Sequence, residues 1–400
     1  MSEPKLRFKA DDGNAFPDWE EKKLGDVCDP LTYGMNAAAI KFDGKNKYIR
    51  ITDIDDKSHR YVADEFVSPD GELDDKYLVS ENDILLARTG ASVGKSYIYD
   101  KKDGKLYYAG FLIKAHVKSG IGKIIFYQTL TDRYNKWVKV MSVRSGQPGI
   151  NANEYSDFMV FVPSLPEQQK IADFLSTIDT VIEKQKATVE AWEERKKGVM
   201  QKLFSQEVRF KADDGSEFPE WEEKKLSEMF KKVVEKNRLD LPALTIIQGS
   251  GTIRRDESER RITYDEKGLK NYKAVQKNDF IVHLRSFEGG LEIVNQDGIV
   301  SPAYHVYRGN DEVNSLFYYP YFRSSNFING KLSICVTGVR DGKNIEMSSF
   351  DELLIPHPCF AEQQKIADCL SALDDVIEKQ KATLAAWEEM KKGLLQQMFV

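Results

Sequence analysis

The sequence predicts an α+β protein in which two similar α/β modules are separated by two long antiparallel α-helices that form a coiled coil. The first observation is a repeat, since residues 7–24 and 209–226 are identical at 15 of 18 positions. The second is a longer repeat, in which residues 167–204 return as 362–399 with 27 of 38 positions identical. The longer repeat runs into the shorter one at the middle of the chain, so we expect a circular repeat with pseudo-twofold symmetry.

The longer repeat has the periodicity of a coiled-coil helix, because its apolar residues recur alternately four and three positions apart. Ser164 and Glu167 have the spacing of a capping box, so we expect the first helix to begin near Ser164. A helix from residue 164 to 204 would be about 60 Å long. One helix cannot bury so narrow a stripe alone, so we predict that the two helices pair. The predicted interface consists of Ile171, Leu175, Ile178, Ile182, Gln185, Val189 and Trp192 in the first helix and Ile366, Leu370, Leu373, Ile377, Gln380, Leu384 and Trp387 in the second.

The segments outside the helices form the two modules. We predict a first module at 1–163, a long helix at 164–207, a second module at 208–358 and a second long helix at 359–400. Each module opens with F-P-x-W-E-E-K-K-L, continues through β-rich stretches and closes with a strand that runs into a proline. The opening and closing segments of the two modules are similar, whereas the sequences between them diverge. This pattern is typical of two copies of one fold that recognise different targets.

Composition limits the class of protein. No apolar run approaches the roughly 18–20 residues that cross a bilayer, and the first fifteen residues are too charged for a signal peptide, so we expect a soluble cytoplasmic protein. The four cysteines form no C-x-x-C pair and the five histidines are scattered, so we expect neither a disulfide framework nor a metal site. The net charge of −6 is not typical of a nucleic-acid binder, so basic residues must be assessed cluster by cluster.

Two motifs of catalytic chemistry fail on inspection. The segment from Gly90 to Ser96 has three residues between its glycines where a P-loop needs four, and it leads into a strand pattern where a helix should begin. We therefore expect a tight turn that presents Arg88, Thr89 and Lys95. An adenine methyltransferase grips its flipped base with an Asn/Asp-Pro-Pro-aromatic motif, and the sequence contains no Asn-Pro-Pro or Asp-Pro-Pro. We predict no catalytic residues in this chain.

The sequence resembles the specificity subunit of a Type I restriction-modification system. The resemblance covers essentially the whole chain and occurs twice, once in each half. The resemblance is carried by the F-P-x-W opening at 16–24 and 218–226, by the Asn-Asp strand followed by Arg88-Thr89-Gly90, and by P-x-x-P-E-Q-Q-K-I-A-x-F-L at 163–175. The second copy of this last motif, at 358–370, has Ala361 in place of the second proline. The motif therefore does not predict how the second long helix is capped.

The resemblance implies two target recognition domains, each reading one half of a split asymmetric DNA sequence, with the long helices setting the spacer and docking the modification subunits. It implies double-stranded DNA, two modification (methyltransferase) subunits and two restriction (translocase/nuclease) subunits as partners. S-adenosylmethionine, ATP and Mg are then expected on the partner subunits, and no cofactor is expected in this chain.

Candidate DNA contacts are polar side chains in turns, several of them Gly-rich, because Arg, Lys, Asn and Gln read groove edges and phosphates. A competing hypothesis is a non-catalytic protein-binding scaffold with twin modules on a coiled-coil spacer. It explains the heptads and the duplication, but it leaves the polar turns unexplained. The candidates are Tyr33, Asn36, Arg88, Thr89, Lys95, Arg144, Gln147 and Asn151 in the first module and Gln248, Arg254, Arg255, Arg285, Arg340, Lys343 and Asn344 in the second.

Overall fold

A computed structural model of the chain divides into two compact units. The first is formed by Met1–Ala187 and Lys381–Val400, and the second by Thr188–Gln380. This division differs from the boundaries expected from the sequence, because each module packs with the beginning of one long helix and the end of the other. The structure describes residues 4–143, 147–258, 266–282, 290–338 and 344–399.

The first unit contains the elements that precede the middle of the chain and, from residue 381 onward, the end of the long helix α9 (Phe360–Phe399). Its helices are α1 (Leu24–Val27), α2 (Gly122–Gln128), α3 (Asp132–Met141), α4 (Ala152–Ser156) and residues up to 187 of the long helix α5 (Leu165–Phe204). Its strands are β1 (Glu20–Lys23), β2 (Thr32–Tyr33), β3 (Ala39–Lys41), β4 (Lys47–Ile49), β5 (Val67–Pro69), β6 (Asp83–Ala87), β7 (Ser96–Ile98), β8 (Leu106–Tyr108), β9 (Leu112–His116) and β10 (Met159–Val162).

The core of the first unit is an antiparallel sheet with strand order β2-β9-β6-β7. All five residues of β6 are buried, because the strand is central and covered on both faces. Ile84 and Leu86 belong to one apolar cluster, and Leu85 and Ala87 to another, as the two-residue period of a strand requires. Pairs β1–β10 and β3–β5 are antiparallel, whereas β4–β8 is parallel.

The second unit contains residues 188–204 at the end of α5 together with the remaining elements. Its helices are α6 (Leu226–Met229), α7 (Ser315–Phe322), α8 (Met347–Asp351) and residues up to 380 of the long helix α9 (Phe360–Phe399). Its strands are β11 (Glu222–Lys225), β12 (Phe230–Lys232), β13 (Leu244–Ile247), β14 (Gly251–Arg254), β15 (Lys273–Val275), β16 (Phe280–Val282), β17 (Glu292–Ile293), β18 (Gly298–Val300), β19 (His305–Gly309), β20 (Val336–Thr337), β21 (Asn344–Ile345) and β22 (Leu354–His357).

The second unit repeats the sheet of the first. Its order is β12-β19-β16-β17, which matches β2-β9-β6-β7 strand for strand, and β11–β22 matches β1–β10. Phe280 and Val282 belong to one apolar cluster and Ile281 to another, so β16 is also covered on both faces. The two modules therefore share a frame, although little sequence is repeated between the opening segment and the helix.

A buried carboxylate fastens the opening segment of the first module to α5. Glu167 has no exposed surface. Its carboxylate accepts hydrogen bonds from Arg7 Nε at 3.1 Å, Arg7 Nη2 at 2.9 Å and Trp19 Nε1 at 2.9 Å. The predicted capping box is therefore wrong, because Glu167 bonds to side chains about 150 residues away in the chain and not to the backbone of Ser164. Ser164 Oγ is buried and has no hydrogen-bond partner among the described residues.

The second module repeats this arrangement of a buried glutamate, an arginine and a tryptophan, which we call the clasp. The Glu362 carboxylate, also without exposed surface, accepts from Arg209 Nε at 3.1 Å, Arg209 Nη2 at 2.9 Å and Trp221 Nε1 at 2.9 Å. Arg209, Trp221 and Glu362 correspond to Arg7, Trp19 and Glu167 at the repeat offsets. The clasp explains why the opening segment and the beginning of the long helix are repeated together.

Contacts within the first unit show that its two helix segments run antiparallel. Trp19, which bonds to Glu167 at the beginning of α5, lies 5.8 Å from the ring of Phe399 at the end of α9. Twelve residues further along α5, Asp179 Oδ1 lies 2.5 Å from Lys391 Nζ, which is eight residues before Phe399. Moving forward along α5 therefore means moving backward along α9.

The second unit shows the equivalent pairing. Phe204, at the end of α5, lies 5.6 Å from Phe317, which in turn lies 5.9 Å from Trp221, the partner of the beginning of α9. Lys196 Nζ lies 2.5 Å from Asp374 Oδ1, and both residues are the repeat counterparts of the first ion pair.

Burial along the two helices follows the predicted seam. Seven seam residues are buried, at 7% exposure or less: Ile171, Leu175, Ile178, Val189, Ile366, Leu370 and Ile377. The other predicted positions are half-buried: Ile182, Gln185, Trp192, Leu373, Gln380, Leu384 and Trp387.

Candidate nucleic-acid interface

The Asn-Asp motif at the start of each central strand is structural. Asn82 has φ +69° and Asn278 has φ +75°, a left-handed conformation that Asn tolerates better than most residues. The buried Asp83 carboxylate accepts from the Ser80 backbone N–H at 2.6 Å and lies 2.7 Å from His116 Nδ1. In the second unit, Asp279 takes the equivalent position. The motif thus fixes where the central strand begins.

Strand register brings two side chains, Tyr33 and Arg88, together at one edge of the first sheet. Tyr33 ends β2 opposite Ile113, and Ala87 ends β6 opposite Leu112, so both strands end where β9 begins. Arg88 follows β6, and its guanidinium carbon lies 4.8 Å from the centroid of the Tyr33 ring. Arg88 Nη1 also donates to the Gly110 carbonyl at 3.4 Å. This cation–π pair holds a planar donor fork at the edge of the sheet.

The segment around residue 150 completes this edge. Thr89 pairs with Gly149 as an isolated bridge, and Gly90 N–H donates to the Pro148 carbonyl at 3.0 Å. Exposed Gln147 has its Nε2 3.2 Å from the position that a Cβ on Gly90 would take. Asn151 is exposed as well, and its side chain accepts from Glu154 N–H at 3.0 Å as the cap of α4. We name this surface, formed by Tyr33, Arg88, Thr89, Phe111, Gln147 and Asn151, the β2–β6 edge.

Phe111 belongs to the β2–β6 edge, although the sequence analysis missed it. Its side chain is 63% exposed, and its carbonyl accepts from Arg88 N–H at 3.1 Å. Its turn is held closely, since a Cβ on Gly34 would lie 2.2 Å from the Ala109 carbonyl oxygen. The available signal was an aromatic residue directly after a glycine between two strand patterns. The sequence-based candidates include only polar turn residues and Tyr33.

Lys95 differs from the rest of the first set. Lys95 Nζ donates to the Ile54 carbonyl at 3.0 Å and pairs with Asp56, and its side chain is 10% exposed. This lysine therefore tethers the segment around Asp56. The segment from Gly90 to Ser92 is a short 3-10 turn that leads into strand β7, as predicted in place of a P-loop. Asn36 is exposed. Arg144 lies outside the described residues.

Three candidates of the second unit lie on the β13–β14 hairpin or just after it. Gln248 is exposed at the tip. Arg254 donates to both carboxylate oxygens of Asp256, at 3.1 and 2.7 Å. Arg255 Nη1 donates to the Tyr272 hydroxyl at 3.3 Å, with its guanidinium carbon 5.4 Å from the ring centroid. Because of these contacts, the two arginines are less available to bind DNA than the sequence alone indicates.

The remaining candidates follow β16 or lie near β21. Asn344 is exposed at the start of β21, where its carbonyl accepts from Thr337 Oγ1 at 3.4 Å. Arg285, Arg340 and Lys343 lie outside the described residues.

The described residues contain neither a membrane-spanning helix nor a metal-binding cluster. No helix there is long and apolar enough to cross a membrane. Within the same residues, no group of three or more His, Cys, Asp and Glu side chains is arranged to hold a metal ion.

Comparison with known proteins places these features in a family. The family model for the Type I restriction modification DNA specificity domain matches residues 17–191 and again 219–386. Two Methanocaldococcus jannaschii proteins, the MjaVIII specificity subunit and the putative MjaX specificity subunit of type I restriction enzymes, are each 26% identical over 97% of this chain and 94% of their own length.

Solved structures share the fold. The S subunit of the Type I restriction-modification system from M. genitalium superposes with a TM-score of 0.55 at 15% identity, over 100% of this chain and 99% of that one. A chain from a study of complex assembly and conformational transition of the type I R-M system gives 0.53 at 15% identity, over 95% and 97%. With two family domains on a shared frame and paired long helices, this chain belongs to the family of Type I restriction-modification DNA specificity subunits, the non-catalytic subunits of these systems.

Proposed function

We propose that each module reads one half of a bipartite double-stranded DNA site, and that the two long helices set the spacer and dock the modification subunits. The observation that carries this proposal is the contrast between frame and edge. Both sheets have the same strand order, yet the edge where the central strand ends carries Tyr33 and Arg88 in one module and the Gln248 hairpin in the other. A common frame with different exposed donors suits two different half-sites.

The partners are proposed from the family to which the chain belongs. Two modification subunits would supply S-adenosylmethionine and the methyltransferase sites, and two restriction subunits would supply ATP- and Mg-dependent translocation and cleavage, all in the cytoplasm. The chain carries a net charge of −6 and would bind DNA weakly alone. The modification subunits would therefore contribute the positive charge that surrounds the duplex.

A module exchange tests the proposal. Residues 218–358 are replaced by the equivalent module of another specificity subunit, and methylated adenines are mapped in a host that carries the matching modification subunit. One half of the methylated motif should change, while the other half and the spacer stay the same. The matched control exchanges residues 16–163 and should change the opposite half. If both halves changed in either chimaera, the modules would not be independent readers.

A further inference from the structure

The β13–β14 hairpin ends in a three-residue tip. Ile247 pairs with Gly251 in the antiparallel register, so Gln248, Gly249 and Ser250 form the turn, and all three are exposed. Two-stranded antiparallel ribbons of this kind fit the major groove of B-DNA. The tip is therefore the part of the ribbon that would reach the base edges first.

A buried carboxylate from the sheet holds the tip. Glu292 is 6% exposed and lies on β17 opposite Ile281, one residue before the end of β16. Its Oε1 accepts from the Gly249 N–H at 2.8 Å, and its Oε2 accepts from the Gly251 N–H at 3.2 Å. The hairpin tip is thus tied to the sheet edge that corresponds to the β2–β6 edge of the first module.

The end of α7 completes the support of this carboxylate. Arg323 Nη1 donates to Glu292 Oε1 at 2.5 Å, and the Tyr319 hydroxyl donates to Oε2 at 3.1 Å. Burial raises the pKa of Tyr319 well above its ordinary value, and the adjacent Glu292 carboxylate raises it further, so the hydroxyl keeps its proton. Four donors therefore fix the Glu292 side chain, and through it the tip.

The rest of the tip backbone is also occupied. Asn295 Nδ2 donates to the Ser250 carbonyl at 2.7 Å and to the Thr252 carbonyl at 3.1 Å. Gly251 has φ +79°, and a Cβ there would lie 2.6 Å from the Ile293 carbonyl oxygen. A tip fixed in this way loses little conformational freedom on binding, which is the advantage of a preorganised contact.

We propose that the tip of this hairpin enters the major groove, that Gln248 reads an adenine in the half-site of the second module, and that Glu292 is the residue that positions Gln248. The inference rests on the proposed function and names the element that performs it. Glutamine can bond in bidentate fashion to adenine N6 and N7, whereas a glutamate in its place would accept from the N4 amino group of cytosine. Ser250, on the other side of Gly249, can bond to any base or to a phosphate.

The test maps methylated adenines made by the assembled complex with Gln248→Ala and Gln248→Glu. With Gln248→Ala, discrimination at one adenine position of one half-site should fall by about 5- to 150-fold, the range for a lost bidentate contact. With Gln248→Glu, the same position should shift toward cytosine. The matched control is Gln276→Ala, an exposed glutamine of the same unit on the turn before β16, which should leave the motif unchanged.

A second test distinguishes positioning of Gln248 by Glu292 from a general stabilising role of Glu292. Glu292→Gln keeps the shape but replaces one acceptor oxygen by an amino group, so discrimination at the Gln248 position should fall while the other half-site is still read. Adding Gln248→Ala to this variant should cost less than it costs in the wild-type complex, because part of the contact is already lost. Lower thermal stability with an unchanged motif, or fully additive losses, would refute the positioning role.

The outcomes separate this inference from the proposed function. A wild-type complex that methylates no bipartite motif would refute the proposed function itself. A wild-type complex with a bipartite motif that Gln248→Ala leaves unchanged, or changes only at a G·C position, would refute the adenine contact alone. Gln248 is exposed, so its replacement should not unfold the module, and thermal melting of each variant checks this.

Discussion

Replacing Glu167 with alanine should destabilise the first unit by about 3–5 kcal/mol. The carboxylate has no exposed surface and accepts three hydrogen bonds, two from Arg7 and one from Trp19. Its removal takes the carboxylate away from the Arg7 guanidinium, which is only 20% exposed and keeps its bonds to the Phe16 and Pro17 carbonyls, and it leaves the Trp19 indole N–H without that acceptor. Breaking a buried ion pair from one side costs about this much, because the remaining charge stays desolvated. Trp19→Phe keeps the ion pair and removes one donor, so it should cost only about 1 kcal/mol beyond any loss of packing.

The measurement is urea denaturation of the purified chain, followed by circular dichroism. Glu362→Ala provides a matched variant in the second unit and should cost about as much, because its three hydrogen bonds have the same lengths. Glu20→Ala is the control, since this side chain is 66% exposed and its replacement should change stability by no more than about 0.5 kcal/mol. A loss below about 1 kcal/mol for Glu167→Ala would show that the clasp is not what joins the opening segment to α5.

Three further predictions concern DNA. Arg88→Lys keeps the charge but loses the planar guanidinium that stacks on Tyr33. Methylome mapping should therefore show lower sequence specificity at the first half-site and an unchanged second half-site. If the whole motif stayed unchanged, Arg88 would not contact a base. Between 50 and 200 mM salt, the assembled complex should lose about 10³- to 10⁵-fold in affinity in gel-shift titrations. Nanomolar specific binding by the isolated chain would contradict the proposal that the modification subunits contribute the positive charge around the duplex. One heptad inserted after both Gln185 and Gln380 adds about 10.5 Å, so the methylated spacer should widen by at most about three base pairs; an unchanged spacer would mean that other elements set it.

The long helices could be predicted from sequence because their signals are local. The apolar heptads are spread along one continuous segment, and the observed α5 begins at Leu165, one residue after the predicted start. The role of Glu167 could not be predicted in the same way. Its spacing from Ser164 satisfies a local rule, but Arg7 and Trp19 offered a closed set of donors from a distant part of the chain. Side-chain chemistry alone does not show which of two such arrangements is formed.

The candidate DNA contacts show a similar limit. Lys95 looked like a free cation in a glycine turn, yet Asp56, 39 residues earlier, pairs with it. Phe111 was overlooked because an exposed aromatic residue and a core aromatic residue look alike in a sequence. Gln248 was chosen for its glycine-rich turn, but the reason that the turn is rigid lies in Glu292 and Arg323, which come from a later strand and the end of a helix.

Rigid support is what the two candidate edges share, although their residues differ. In the first module, Arg88 is held by the Tyr33 ring, and in the second, the Gln248 turn is held by the Glu292 carboxylate. Each support comes from a strand of the repeated sheet, whereas the supported residue lies in a turn or follows a strand. Substitution of a turn residue can therefore change the contact without disturbing the core beneath it. This separation explains how the sheet order is preserved in both modules while the residues at its edge diverge.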